Sequence, residues 1–325
     1  MQSLDLDVLE RALEWRRGGR RVWLLTVAQT FGASPRPPGS LAAIRDDGIL
    51  VGSVSGGCIE DDLVARRDEY AGRIPQFAAY GVTAEEARRF GLPCGGELEV
   101  IIEPEVTDAE LETLLTHIAA GRIVARRVDL GTGAWTFAPA LPTDECERSA
   151  AQFTSVHGPR WRMLIIGASE IAHYLAEVAS TVDFQVYVCD PREEYKSAWR
   201  ARGAKWIDGM PDDAVVAFKP DGHSVILTVS HDPKLDDMAL LEALKANAFY
   251  VGAVGSARTS AERRKRLADF DLTPQQIARL RGPVGLSIGS RTPPEIALAI
   301  LGDLIASRNG IVLEKSARDT ERKRA

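Results

Sequence analysis

Two cysteines sit in glycine-flanked loops, and they are the residues of this chain with the clearest chemical potential. The first loop reads Ser53-Val54-Ser55-Gly56-Gly57-Cys58-Ile59-Glu60-Asp61-Asp62. The second reads Gly91-Leu92-Pro93-Cys94-Gly95-Gly96-Glu97. Glycines at Gly56, Gly57, Gly95 and Gly96 let backbone adopt positive φ or approach a ligand closely. Cys58 stands at a predicted helix start, where amide N–H groups favour a thiolate. Glu60, Asp61 and Asp62 crowd the same turn and favour the thiol. Both cysteines are therefore candidates for sulfur handling, and Cys58 for a metal contact. Ser34 and Arg36, in the proline-rich loop 32–40, can close over the same pocket; a plain surface turn is the competing reading. Cys146 and Cys189 read as packing residues, because unpaired cysteine is usually a small buried hydrophobe.

A second set of candidates lies further along the chain. The apolar run 161–166 leads into Gly167-Ala168-Ser169-Glu170-Ile171-Ala172, where a dinucleotide fingerprint would read G-x-G-x-x-G/A. Gly167 supplies the tight turn and Ala172 the small packing residue. Ser169 replaces the glycine that lets backbone approach a pyrophosphate, and its hydroxyl can instead bind phosphate. Asp190 ends the second apolar run, where a ribose-binding acid is expected, and Arg192 offers a phosphate contact. His231 follows the run 224–230 and is a candidate acid/base group or phosphate contact, against a purely structural role. Gly289 and Arg291 belong to the glycine-punctuated loop 282–291, whose N–H groups can form an anion site. The alternative there is a cap that only stops and starts structure. Thr292 and Glu295 form a capping-box pattern with Pro293 at the first helical position.

The elements that must position these residues differ between the two halves. In the first half, apolar spacing predicts a helix over 4–19, then a strand over 22–30. Two short strands flank an Asp47-Gly48 turn within 41–57. A helix over 59–71, a strand over 97–105, a helix over 107–120 and a strand over 122–130 follow. The stretch 131–160 is rich in Gly, Pro, Thr and Ser, shows little periodicity, and reads as the boundary region. Beyond it, near-continuous apolar runs at 161–168, 185–190, 224–230 and 249–255 alternate with helices, as in a parallel sheet covered on both faces. The expected architecture is α/β: a small N-terminal α/β domain over 1–150, then a Rossmann-like doubly wound parallel-sheet domain over 160–312, then a charged tail over 313–325.

Composition narrows the classes. The chain has 325 residues, with 45% hydrophobic and 26% charged side chains, so it reads as globular rather than disordered or fibrous. Its 40 basic and 46 acidic side chains leave a net charge of −6, which argues against nucleic acid as a partner. No apolar run approaches the roughly 20 residues of a membrane span. The acidic, periodic N-terminus does not read as a signal peptide. The four cysteines form no CxxC pair, so zinc and disulfide frameworks are poor readings and a reducing cytoplasm is expected.

Taken together, several segments resemble the XdhC/CoxI family, the accessory proteins of xanthine dehydrogenase and CO dehydrogenase. They are GASPRPPGS (32–40), LVGSVSGGCIEDDLV (50–64), LPCGGELEVIIEP (92–104), the turn at 163–172, CDPREEY (189–195), SHDPKLDD (230–237), FYVGAVGSARTSAERRKRL (249–267) and GPVGLSIGSRTPPEIALAIL (282–301). They cover nearly the whole chain. The resemblance implies a maturation factor that binds the molybdenum cofactor (molybdopterin). It implies help with cofactor sulfuration by a cysteine desulfurase and delivery to an apo-molybdoenzyme of the xanthine oxidase class. It also implies a homodimer, and it places Cys58 and Cys94 on the family motif. Glycine-rich backbone suits a phosphate-bearing pterin, and thiols suit a soft molybdenum–sulfur centre. Many members carry G-A-G-H-x-A/G at the Rossmann turn, where this chain has Ser169 and Glu170. Two alternatives from other classes stand beside this reading: an NAD(P)-dependent oxidoreductase using the Rossmann domain, and an interaction scaffold whose glycine loops shape an interface.

Overall fold

The computed structural model describes residues 4–31, 36–81 and 97–311. Ser34, Cys94, Gly95, Gly96 and the tail 313–325 lie outside the described residues. The chain divides into two compact units, 2–160 and 161–325.

In the first unit, α1 (Leu4–Arg17) buries Val8, Leu9, Ala12, Leu13 and Trp15. It ends at Gly18 and Gly19, as the glycine pair predicts, with Gly19 at φ 76°. A five-stranded antiparallel sheet follows, from β1 (Val22–Phe31), β2 (Leu41–Arg45), β3 (Leu50–Gly52), β4 (Gln76–Tyr80) and β5 (Glu97–Glu103). Its order is β3-β2-β1-β5-β4. The Asp47-Gly48 turn joins β2 to β3, with Gly48 at φ 90°. Between the hairpin and β4, the predicted helix 59–71 is shorter: α2 (Glu60–Arg66) passes into a 3₁₀ turn over Arg67–Glu69.

α3 (Asp108–Ala119) starts at a reciprocal cap between Thr107 and Glu110. A second antiparallel sheet, ordered β7-β6-β9-β8, comprises β6 (Val124–Asp129), β7 (Trp135–Pro139), β8 (Glu147–Arg148) and β9 (Gln152–His157). Three of these strands fall in the stretch 131–160 read above as irregular. The reason is chemical. Of the alternate buried positions Phe153, Ser155 and His157 of β9, only the first is apolar, so apolar alternation is too short to mark the strand. A buried cation accounts for the other two. Arg126 of β6 is fully buried and reaches both oxygens of Glu103 at 3.1 and 2.8 Å, Thr26 at 3.0 Å and Ser155 at 3.1 Å. Trp135 donates to Glu103 at 2.6 Å, and Ser155 shares a hydrogen bond with His157 at 2.8 Å. Burial, reinforced by Arg126 and Arg160, keeps the His157 imidazole neutral, well below its ordinary range.

The second unit is the α/β domain expected from its apolar runs. Its strands are β10 (Trp161–Ile166), β11 (Phe184–Cys189), β12 (Lys205–Trp206), β13 (Ser224–Thr228), β14 (Tyr250–Ala253) and β15 (Leu280–Arg281). All pair in parallel, in the order β12-β11-β10-β13-β14-β15. In sequence rank this is 3-2-1-4-5-6, the Rossmann order, with its switch point between the first and fourth strands. The connecting helices are α4 (Glu170–Thr181), α5 (Glu193–Ser197), α6 (Pro211–Phe218), α7 (Pro233–Lys245), α8 (Ala257–Ala268), α9 (Pro274–Ala278) and α10 (Pro293–Arg308). Each sheet face buries an apolar layer: Ile165, Leu175, Leu227 and Ile300 on one, Leu164, Phe218, Ile226 and Leu240 on the other. The two-residue edge strands β12 and β15 are too short to carry a period and escape sequence reading.

Candidate functional site

The Cys58 loop leaves β3 at Gly52 and enters α2 at Glu60. Gly56 and Gly57 take φ of 85° and 106°, the left-handed values that glycine reaches at no steric cost. Cys58 is half-buried against the core around Trp23, Ile59 and Leu63. Arg36 meets this loop: its Nε donates to the Ser53 carbonyl at 2.9 Å while a terminal nitrogen reaches Asp5 at 3.1 Å.

The glycine loop, however, already encloses an anion. The Glu60 carboxylate folds back into it. One oxygen accepts from the Ser53 hydroxyl at 2.6 Å and from the amides of Val54 and Ser55 at 3.0 and 2.9 Å. The other accepts from the Ser55 hydroxyl and from the amides of Gly57 and Ile59, each amide at 3.1 Å. The remaining amides are taken too: Gly56 donates to the Ser53 hydroxyl and Cys58 to that of Ser55, both at 2.8 Å. Burial alone would push the Glu60 carboxyl up, but the converging donors outweigh it and hold the group down at about 2. In the sequence Glu60 counts only as a charge beside the thiol; its spacing from the serines gives no sign that it turns inward.

A depressed carboxylate stabilises the folded loop above its ordinary value and loses that contribution as pH falls through its folded value. The Gly57 and Ile59 amide resonances should therefore titrate with a midpoint of about 2, not at the ordinary 4.5. A midpoint at the ordinary value would show that the carboxylate is not held in the loop.

The other two cysteines behave as packing residues. Cys189 is buried, donates to the Gly209 carbonyl at 3.5 Å, and is pushed up to about 12, first by burial and then by neighbouring aspartates. Burial likewise raises the Cys146 thiol. Among the described residues no group of three or more His, Cys, Asp or Glu could hold a metal ion.

In the second unit the carboxyl ends of the strands gather Gly167, Ser169, Asp190, Arg192 and His231. Gly167 has φ 95°, and a Cβ there would collide with Ser230 across the switch point. The glycine is thus demanded by a neighbouring strand end. Ser169 caps α4, accepting from the Ala172 amide at 3.4 Å. Both Asp190 oxygens are engaged. One accepts from the Ala168 amide and from Arg192, at 2.9 and 2.7 Å. The other accepts from the Arg192 amide and Nε, at 3.1 and 2.8 Å. Arg192 also lies over the Tyr195 ring at 3.7 Å. A ribose hydroxyl at Asp190 would have to displace one of these partners. His231 is exposed with φ 61°.

An open cleft of about 520 Å³ lies at the start of α4. Ser169, Glu170, His173, Tyr195 and Arg200 line it. Glu170 and Arg200 pair at 3.2 Å, and His173 stacks on Trp199 at 4.2 Å. Burial lowers the His173 imidazole. Sequence reasoning misses His173; its position one helical turn after Ser169 is the available signal.

At the loop before α10, Gly289 has φ 79° with open space around it, and Arg291 is exposed. Here too a glutamate has folded back: Glu295 accepts from the amides of Arg291 and Thr292, at 2.7 and 3.1 Å.

These features define a two-unit protein: an antiparallel unit carrying a glycine–cysteine loop, and a Rossmann-ordered unit with a cleft at its first turn. A family model described as XdhC Rossmann domain matches residues 163–304, and one described as XdhC and CoxI family matches residues 15–72. Together they span more than half of the chain, which belongs to the XdhC and CoxI family. A Bacillus subtilis protein named as a probable xanthine dehydrogenase component is 23% identical over 317 residues, covering 89% of this chain and 94% of its own. The Escherichia coli molybdenum cofactor insertion chaperone PaoD is 23% identical over 310 residues, covering 93% and 88%. A crystal structure described as a xanthine dehydrogenase from Bacillus halodurans shares the fold at TM-score 0.74 and 24% identity, covering 96% of this chain and 98% of that one. Among the described residues no helix is long and apolar enough to cross a membrane.

Proposed function

We propose that this protein is a molybdoenzyme maturation factor that binds the molybdenum cofactor and assists its insertion into an apo-molybdoenzyme of the xanthine oxidase class. Relatives along nearly the whole chain support the maturation role, one of them named a cofactor insertion chaperone. The observation that carries the binding reading is the Cys58 thiol: half-buried, on a loop whose backbone is pinned from Ser53 to Ile59. A thiol presented on rigid backbone is a soft ligand of the kind a molybdenum–sulfur centre takes. When bound, the cofactor would supply that soft centre; the chain's part is to hold sulfur in a fixed place and shield it. Cys94 is proposed as a second sulfur. Sulfuration with a cysteine desulfurase and function as a cytoplasmic homodimer belong to the same proposal.

The backbone of the Cys58 loop is a poor phosphate cradle, because Glu60 occupies it.

Purified protein incubated with molybdenum cofactor and then desalted should retain molybdenum and pterin in equal amounts. Retention of neither would sink the proposal. Cys58→Ala should weaken molybdenum retention by at least the roughly 10–100-fold that loss of an outer-shell partner costs in metal sites. Unchanged retention in that variant would remove the thiol from the site.

A further inference from the structure

The Glu60 carboxylate receives six donors, three on each oxygen. A carboxylate offers about four lone-pair sites, so this one is saturated. Successive glycines at φ 85° and 106° turn the loop's amides toward one point, the geometry of an anion-binding nest. The nest is complete, and its occupant is covalently part of the chain.

We propose that Glu60 is the built-in anion of the Cys58 loop, closing its backbone to phosphate and so making the loop selective for a contact through sulfur. An incoming phosphate cannot share the array. It must expel a carboxylate tethered next to the loop, whose effective concentration is high because the tether is short. The expelled charge would then lie beside the phosphate and repel it. Nor is the arrangement a by-product of helix capping. Glu60 is the first residue of a two-turn helix, yet its side chain serves Ser53, Val54 and Ser55, well outside that helix. Glu60 is thus a positioning and specificity residue: it orients the backbone that presents Cys58 and excludes a competing class of ligand. The inference deepens the cofactor reading, while closure against phosphate stands on the loop alone.

The test is the alkylation rate of Cys58 by iodoacetamide, followed by mass spectrometry on the tryptic peptide 46–66, which contains no other cysteine. Rates are compared with and without inorganic phosphate at matched ionic strength. In the wild-type protein phosphate should leave the rate unchanged. In Glu60→Gln and Glu60→Ala the rate should rise several-fold, and phosphate should then lower it several-fold in a saturable way. A merely structural role would raise the rate without any saturable phosphate effect. Phosphate protection of wild-type Cys58 overturns the proposal on its own, without reliance on any variant. Absence of protection in both variants, with circular dichroism of the folded protein, overturns it equally. Molybdenum retention by the same wild-type preparation reports separately on the cofactor reading, so either can fail while the other stands.

Discussion

Replacing Arg126 with methionine should lower the stability of the N-terminal unit by about 3–5 kcal/mol, the usual cost of leaving one member of a buried ion pair behind. Glu103 would keep its Trp135 donor but lose both Arg126 contacts, at 3.1 and 2.8 Å, in a site where its side chain is 3% exposed. Thr26 and Ser155 would lose their Arg126 donors as well. The check is urea denaturation, read as a shift in midpoint. The double variant Arg126→Met with Glu103→Leu should recover part of the loss, because no uncompensated charge is then buried. A single variant as stable as wild type would mean that the network contributes nothing. The network also joins the two antiparallel sheets, since Thr26 and Glu103 belong to β1 and β5 while Arg126 and Ser155 belong to β6 and β9.

Gly167→Ala should destabilise the second unit by about 2–5 kcal/mol. A left-handed backbone costs an L-residue about 1–2 kcal/mol, and forcing an extra methyl into packed surroundings adds about 1–3 kcal/mol. The surroundings here cannot yield cheaply, because the new Cβ would lie 2.6 Å from the Ser230 nitrogen, which is backbone. The loss should appear as faster amide hydrogen exchange in β10, β11 and β13, while the strands of the first unit keep their protection. Wild-type exchange in β10 would show that the turn has room after all. Gly167 thus serves the close approach of two strand ends, whatever ligand the cleft takes.

The helical period read over 4–19, the Asp47-Gly48 hairpin and the long parallel strands are all legible in the sequence, because each is a local pattern repeated over several residues. The doubly wound α/β class follows from alternation of apolar runs and helices, whereas the order of the strands comes only from the structure. The second antiparallel sheet is not legible. Its inward residues at Ser155 and His157 are polar, and only a cation from a different strand makes their burial tolerable. Spacing overextends the helix 59–71 because its acidic and apolar pattern continues past Arg66, where the chain tightens into a 3₁₀ turn.

For the site the division is sharper. Residue types and spacing by themselves mark the glycine loops, single out Cys58 from Cys189, and locate the turns at Gly167 and before Thr292. Only the tertiary structure decides which anion each loop holds. Glu60, Asp190 and Glu295 each turn back onto amides that the sequence leaves open for a ligand. Whether a carboxylate faces water or a backbone nest depends on rotamers and on the direction of neighbouring N–H groups. Those directions are set by positive φ at a few glycines and by the packing around them, and neither is written in residue spacing.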